Sequence, residues 1–261
     1  MLVAGAVSAS PVGAQNAYKA GSSSYRVDQS INATQTMQGQ SVESSASTLQ
    51  LISLSLAPAS QGLQFSLTVD SASTILAGAP PQQQEMANAA MRELKGRRVT
   101  GLMSPQGRVS TAQASDSAPS SEQMVSSARG FLPKLPAGGL KAGASWNDST
   151  TSRFNNNGVD GTTTVISSHS VVGDTTIAGQ AAWKITQKGT VRLSGNGVSQ
   201  GAEISLDGKG TVEGHSFVSK SGVYLGGEQR LTQDMTINVP AAGMTIPMEQ
   251  NVMTRVTRIG G

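Results

Sequence analysis

Little in this chain can do chemistry, and what could is quickly counted. Histidine occurs only at His169 and His215, each beside serine in a stretch with strand-like alternation. Neither belongs to a pair at metal-ligand spacing, so each reads as a surface or satisfied core residue. There is no cysteine, which excludes disulfides, thiolate metal sites and cysteine nucleophiles. The acids are scattered and form no calcium-loop ladder. No G-x-S-x-G elbow and no S-x-x-K motif occurs. Gly195-Asn196-Gly197 and Gly208-Lys209-Gly210 have the composition of phosphate loops, but no helix follows either to supply an anion-binding N-terminus, and both read as hairpin turns. The expectation is a protein that is not an enzyme and carries no cofactor and no metal.

The methionines are the more suggestive set. Met235, Met244, Met248 and Met253 crowd the last strands, while Met86, Met91, Met103 and Met124 fall in helical or hairpin stretches. Methionine is flexible and polarizable, and it suits surfaces that accept varied apolar partners. It is also a filler for a core with only 3% aromatic residues. The candidate apolar lining comprises Met86, Met103, Met124, Phe131, Trp146, Met235 and Met248. Their expected ligand is a lipid or a lipoprotein acyl chain.

The elements that would position these residues follow from periodicity. Charged residues make up 13% of the 261 residues, against about 25% in ordinary domains, and Ser, Thr, Gly, Gln and Asn fill the gap. The net charge of +3 is too weak to indicate nucleic acid. Residues 2–9 are apolar and Val12-Gly13-Ala14 resembles a cleavage site, so 1–14 read as a signal-like segment. A flexible lead over 15–24 follows. No other apolar run approaches the ~18 residues of a spanning helix, and aromatics are too few for the girdles of a membrane barrel. The expected location is periplasmic or secreted.

Alternation of period two predicts strands over 25–37, 42–56 and 63–69. Residues 82–95 predict a helix with Met86, Ala90 and Leu94 on one stripe. Ser104-Pro105-Gln106-Gly107 predicts a type I turn between strands. A capping box from Ser120 to Gln123 opens a second helix that Gly130 and Pro133 stop. From 147 onward strands alternate with Gly-rich dipeptides, which predict turns at Asp160-Gly161, Gly173-Asp174, 195–201 and Asp207-Gly208. One β-rich domain over 25–259 is expected, with halves 25–130 and 142–259 joined by 131–141. Its class is mainly β: a large curved antiparallel sheet or half-barrel with two short helices packed on its concave face.

The joining stretch carries a resemblance. The hairpin 99–109, the run Phe131-Leu132-Pro133-Lys134-Leu135-Pro136, the K-x-G-x-S-W segment from Lys141 to Trp146 and the strand 179–185 together resemble a bacterial secreted, lipoprotein-like family of unknown function. The order of elements is similar to that of lipoprotein carriers of the LolA, LolB and RseB types, which implies a curved sheet enclosing an apolar cavity. It implies no catalytic residue. The function expected is non-enzymatic carriage or binding of an apolar ligand; the alternative is a structural or protein-interaction module of the cell envelope.

Overall fold

The structure is a computed structural model that describes residues 17–37, 39–118, 121–156, 158–199 and 201–261. The signal-like segment and Ser120 of the capping box lie outside the described residues. Strands hold 69% of those described, in one antiparallel sheet of eleven that is not closed, with two short helices. The chain runs β1 (Gly21–Met37), β2 (Gln40–Ala59), β3 (Gly62–Leu76), α1 (Pro81–Glu93), β4 (Arg98–Met103), β5 (Val109–Ala114), α2 (Ser121–Phe131), β6 (Ser145–Asn156), β7 (Val159–Ile177), β8 (Gln180–Ser199), β9 (Ala202–Ser219), β10 (Tyr224–Val239) and β11 (Met244–Gly260). Across the sheet the order is β5-β4-β3-β2-β1-β11-β10-β9-β8-β7-β6. Two meanders are thus joined at the centre by β1 and β11, with Ile31 opposite Val252.

The sheet must curl. The buried cluster joins Phe65 of β3 and Ile185 of β8 with Met124, Ala128 and Leu132 of the α2 region. β3 and β8 are six strand spacings apart, roughly 29 Å in a flat sheet at about 4.8 Å each. A helix is only about 10–12 Å across, and α2 packs on both β5 and β6, the two edges of the sheet, which is possible only if the sheet wraps. Glycine allows the bend on β8 and β9. A Cβ on Gly189 would stand 2.3 Å from the Ile166 carbonyl oxygen, and one on Gly210 2.2 Å from that of Thr232.

This revises several turns. Asp207-Gly208 lies inside β9, and Asp160-Gly161 inside β7. Gly195-Asn196-Gly197 lies inside β8. Gly173 marks a register shift within β7, and the chain reverses instead at Ala178, φ 46°, and Gly179. A glycine that thins a bent sheet leaves the same local signature as one that makes a turn. The 104–107 turn forms as expected, with Gly107 N–H donating to Ser104 O at 2.9 Å and φ at 82°.

The helices do different work. α2 packs against β4, β5 and β6, so it bridges the two edge strands of the sheet. Its Ser126 hydroxyl donates to the Arg153 carbonyl of β6. α1 packs on β3 beyond the last residue that β4 covers. There Gln84 accepts from Leu76 N–H at 2.8 Å and donates to Thr74 O at 2.7 Å, and Asn88 accepts from Thr74 N–H at 3.4 Å. Side-chain amides stand in for a neighbouring strand and blunt an exposed edge. Met86 is therefore not what docks α1: no residue of this helix is buried, Met86 is 66% exposed, and of its stripe only Leu94, just past the helix end, packs on the core cluster.

The 131–146 stretch seals the seam between the two edges. Leu135 and Leu140 are buried. Leu135 N–H donates to Gln106 O in the β4–β5 turn, and Gly143 N–H to Val171 O in β7. The lead is also anchored: Tyr18 is buried, its N–H bonded to Pro105 O and its hydroxyl to Pro133 O, and Gly21–Ser24 already belong to β1. The flexible lead is therefore absent from Ala17 onward, because an aromatic ring has a pocket to fill.

Candidate functional site

The candidate lining residues divide into three places. Met103 and Met124 are buried between α2 and the sheet. Phe131 meets the Tyr25 ring edge-on at 5.2 Å and the Tyr224 ring at 6.1 Å. The void beside them, lined by Leu54, Phe65, Met103, Ala128 and Phe131, measures about 10 Å³. That is at the lower limit for one water, so the expected cavity between helix and sheet is filled. A neighbouring void of about 70 Å³ lies against Tyr18, Tyr25, Leu132 and Tyr224, again too small for an acyl chain.

Trp146 serves the seam. Its indole N–H donates to Lys134 O at 3.0 Å, and its ring stacks on His169 at 5.2 Å. Beside it, Lys134 Nζ lies 2.7 Å from Asp148 Oδ2, and Arg108 reaches Asp148 Oδ1 at 3.1 Å. Burial pushes the Asp148 carboxyl up, but the Lys134 and Arg108 contacts outweigh it and hold the group below its ordinary value. Burial is also the main cause that lowers the His169 imidazole; the Asp148 charge opposes it and Lys134 adds to it. Ser167 stands opposite Asp148 and His169 opposite Trp146 on the same pair of strands. Ser167 accepts its hydrogen bond from Gln187, not from the imidazole. This cluster is a latch.

The third place is the inner face beyond the residues packed around α2. Cross-strand register sets up successive rows there. One joins Ile31, Val252, Leu231 and Val212. The next joins Gln250, Gln233, Gly210 and Val191. A third joins Gln35, Met248, Met235, Gly208 and Leu193, and a fourth Ile246, Ile237 and Leu206. Along β11 these positions alternate with exposed Glu249, Asn251 and Arg255 on the other face. Val191, Val212 and Met235 at the centre are buried yet stand apart from the main cluster. Ile31, Leu193, Leu206, Leu231, Ile237 and Met248 around them are only half-buried. The result is a mainly apolar trough, with Gln35, Gln233 and Gln250 among its rows, buried at its centre and partly accessible at its flanks. Met235 and Met248 are the two candidates it brings together, as direct cross-strand partners.

Sequence reasoning missed Gln233 here, although the signal was present. Gln229, Leu231, Gln233, Met235 and Ile237 share one face of β10, which puts glutamines on the side of the strand that carries its apolar residues. Among the described residues, no three metal-ligating side chains are grouped to hold an ion, and no helix is long and apolar enough to cross a membrane.

No family model matches the chain, and no curated protein does. Among solved structures the chain is similar to Neisserial surface protein A at 7% identity, over 92% of this chain and 99% of that one, with a TM-score of 0.25. A mutant Rh. blastica porin gives 9%, 89% and 99%, with a TM-score of 0.25. A DUF1329 family protein from Desulfovibrio piger gives 9%, 90% and 84%, with 0.14. Likenesses this weak carry no argument about the chain.

Proposed function

We propose that this chain is a non-enzymatic binding protein of the bacterial cell envelope, periplasmic or secreted, whose ligand is a lipid or acyl chain. The observation that carries the reading is the trough: half-buried aliphatic side chains from β1, β8, β9, β10 and β11 lie on one face, beyond the residues that α2 covers. Partly exposed aliphatic rows leave some apolar surface in water that an apolar chain would cover, at about 25 cal/mol per Å². The ligand lies along the strands rather than in the filled space under the helix.

Native mass spectrometry and lipid extraction of protein purified from a bacterial periplasm test this. Co-purified lipid, together with saturable binding of a fluorescent fatty acid that Leu206→Asp weakens at least tenfold, is the expected result. Absence of both lipid and saturable binding refutes it.

A second reading, a protein-interaction module, is favoured by the opposite face. A groove of about 390 Å³ there is lined by Lys184, Lys188, Glu213, His215, Glu228 and Arg230. Its alternating charges suit a polar protein surface. Stoichiometric capture of an envelope protein, lost in a Lys188→Glu, Arg230→Glu variant, would support it.

A further inference from the structure

The trough contains one polar group with an unmet requirement. Gln233 is 4% exposed, and its Nε2 is buried without a hydrogen-bond partner. Buried amide donors are ordinarily paired, and an unpaired one calls for an explanation. The surroundings of this one are specific. A Cβ placed on Gly208 would stand 3.3 Å from Gln233 Nε2 and 2.9 Å from Met235 Cγ. The strand opposite the amide thus offers glycine at 208 and again at 210, its register partner. On the other side, Met235 faces Met248, whose sulfur accepts from Gln35 Nε2 at 3.3 Å. An unpaired donor therefore sits beside a floor without side chains, flanked by the two most adaptable residues of the trough.

We infer that Gln233 Nε2 is the anchor for a carbonyl oxygen, so that the ligand class is an acyl ester or amide rather than a bare hydrocarbon. The inference rests on the trough reading above and adds the polar contact that reading lacks. An aliphatic body lies on Leu231, Val252 and Leu206, and Met235 and Met248 shift rotamers to admit it. The carbonyl then accepts the hydrogen bond that the protein leaves open. A charged head is not required at this point, since no ionic group shares the row of Gln233 with Gln250, Gly210 and Val191.

Two probes of equal length separate the possibilities: methyl palmitate, which has the carbonyl, and hexadecyl methyl ether, which does not. Titrations of the full chain are followed by native mass spectrometry. Wild type should bind the ester about three- to tenfold more tightly, the worth of one net hydrogen bond. In Gln233→Met, which keeps the length and loses the donor, that preference should vanish while ether binding persists. The same substitution should leave Tm unchanged or raise it, because it removes an unpaired buried polar group, and this separates a lost contact from a lost fold. Equal binding of ester and ether by wild type overturns the inference and leaves the trough reading standing, with water satisfying the amide. A preference that survives in Gln233→Met also overturns it. Binding of neither probe removes the trough reading and the inference with it.

Discussion

Replacing Trp146 tests whether the seam is the element that holds the two meanders together. The indole is half-buried, packs on the core cluster, stacks on His169 and donates to Lys134 O. A large aromatic ring half removed from water takes out on the order of 100–150 Å², worth roughly 3 kcal/mol at ~25 cal/mol per Å². Loss of the indole hydrogen bond adds about 1 kcal/mol, and water reaching the vacated, partly open site offsets a similar amount. Trp146→Ala should therefore cost about 3 kcal/mol. Trp146→Phe keeps the ring contact with His169 and loses the N–H, so it should cost about 1–1.5 kcal/mol. Urea unfolding followed by circular dichroism, fitted with a common m-value, reads both. A Trp146→Ala loss under about 1 kcal/mol would mean the seam is held elsewhere. A Phe variant as damaged as the Ala variant would mean that the hydrogen bond, not the ring, carries the effect.

The remaining expectations concern the latch, α1 and the phenols. Asp148→Asn leaves the Lys134 charge half-buried beside a neutral partner and should cost about 2–3 kcal/mol at pH 7. Because the folded carboxyl lies below its ordinary value, that contribution is complete above the usual carboxylate range and disappears as pH falls through the folded pKa. Wild type and variant should therefore converge toward pH 3 in urea titrations. His169 acts in the same direction at higher pH: its folded pKa is lowered, so its neutral form contributes fully above about 6.5 and that stability is lost as pH falls below it. Stability measured at pH 7 and 5.5 should differ in wild type and differ less in His169→Gln. Gln84→Ala should cost about 1–2 kcal/mol and accelerate hydrogen exchange at the Leu76 amide, which Gln84 covers; unchanged exchange would refute the edge-capping role of α1. Burial raises the phenols of Tyr18, Tyr25 and Tyr224, the three tyrosines of the chain. At the same alkaline pH, absorbance at 295 nm should then show less tyrosinate in the folded protein than in the unfolded chain, and stability should fall as pH rises above about 10.

The alternating strands were legible because each carries polar residues on one face and apolar ones on the other, as in Tyr25, Val27 and Ile31 against Arg26, Asp28 and Asn32. The 104–107 turn and α2 were legible because Pro, Gly and a short apolar stripe act locally. What failed were the turns placed at Gly161, Gly195 and Gly208. Gly195, Gly208 and Gly210 sit in strands because of curvature, a property of the whole sheet that no local window contains. Met86 failed for a related reason: its stripe is genuine, but α1 docks through Gln84 and Asn88, whose amides pair with an edge that exists only once β4 stops short. Met235 and Met248, two of the seven candidate lining residues, are direct cross-strand partners, and the glutamine between the apolar positions of β10 is a sign that alternation alone makes readable.

The central pairing of β1 with β11 has a kinetic consequence. Tyr25 and Arg258 are neighbours in space and more than two hundred residues apart in the chain, whereas the other strand contacts join elements close in sequence. Each meander can zip up from its own hairpins. The middle of the sheet, by contrast, has to wait until β1 and β11 meet. Maturation of this protein therefore ends in a single slow docking step, and until then the partner edge of β1 stands open to chaperones or to aggregation.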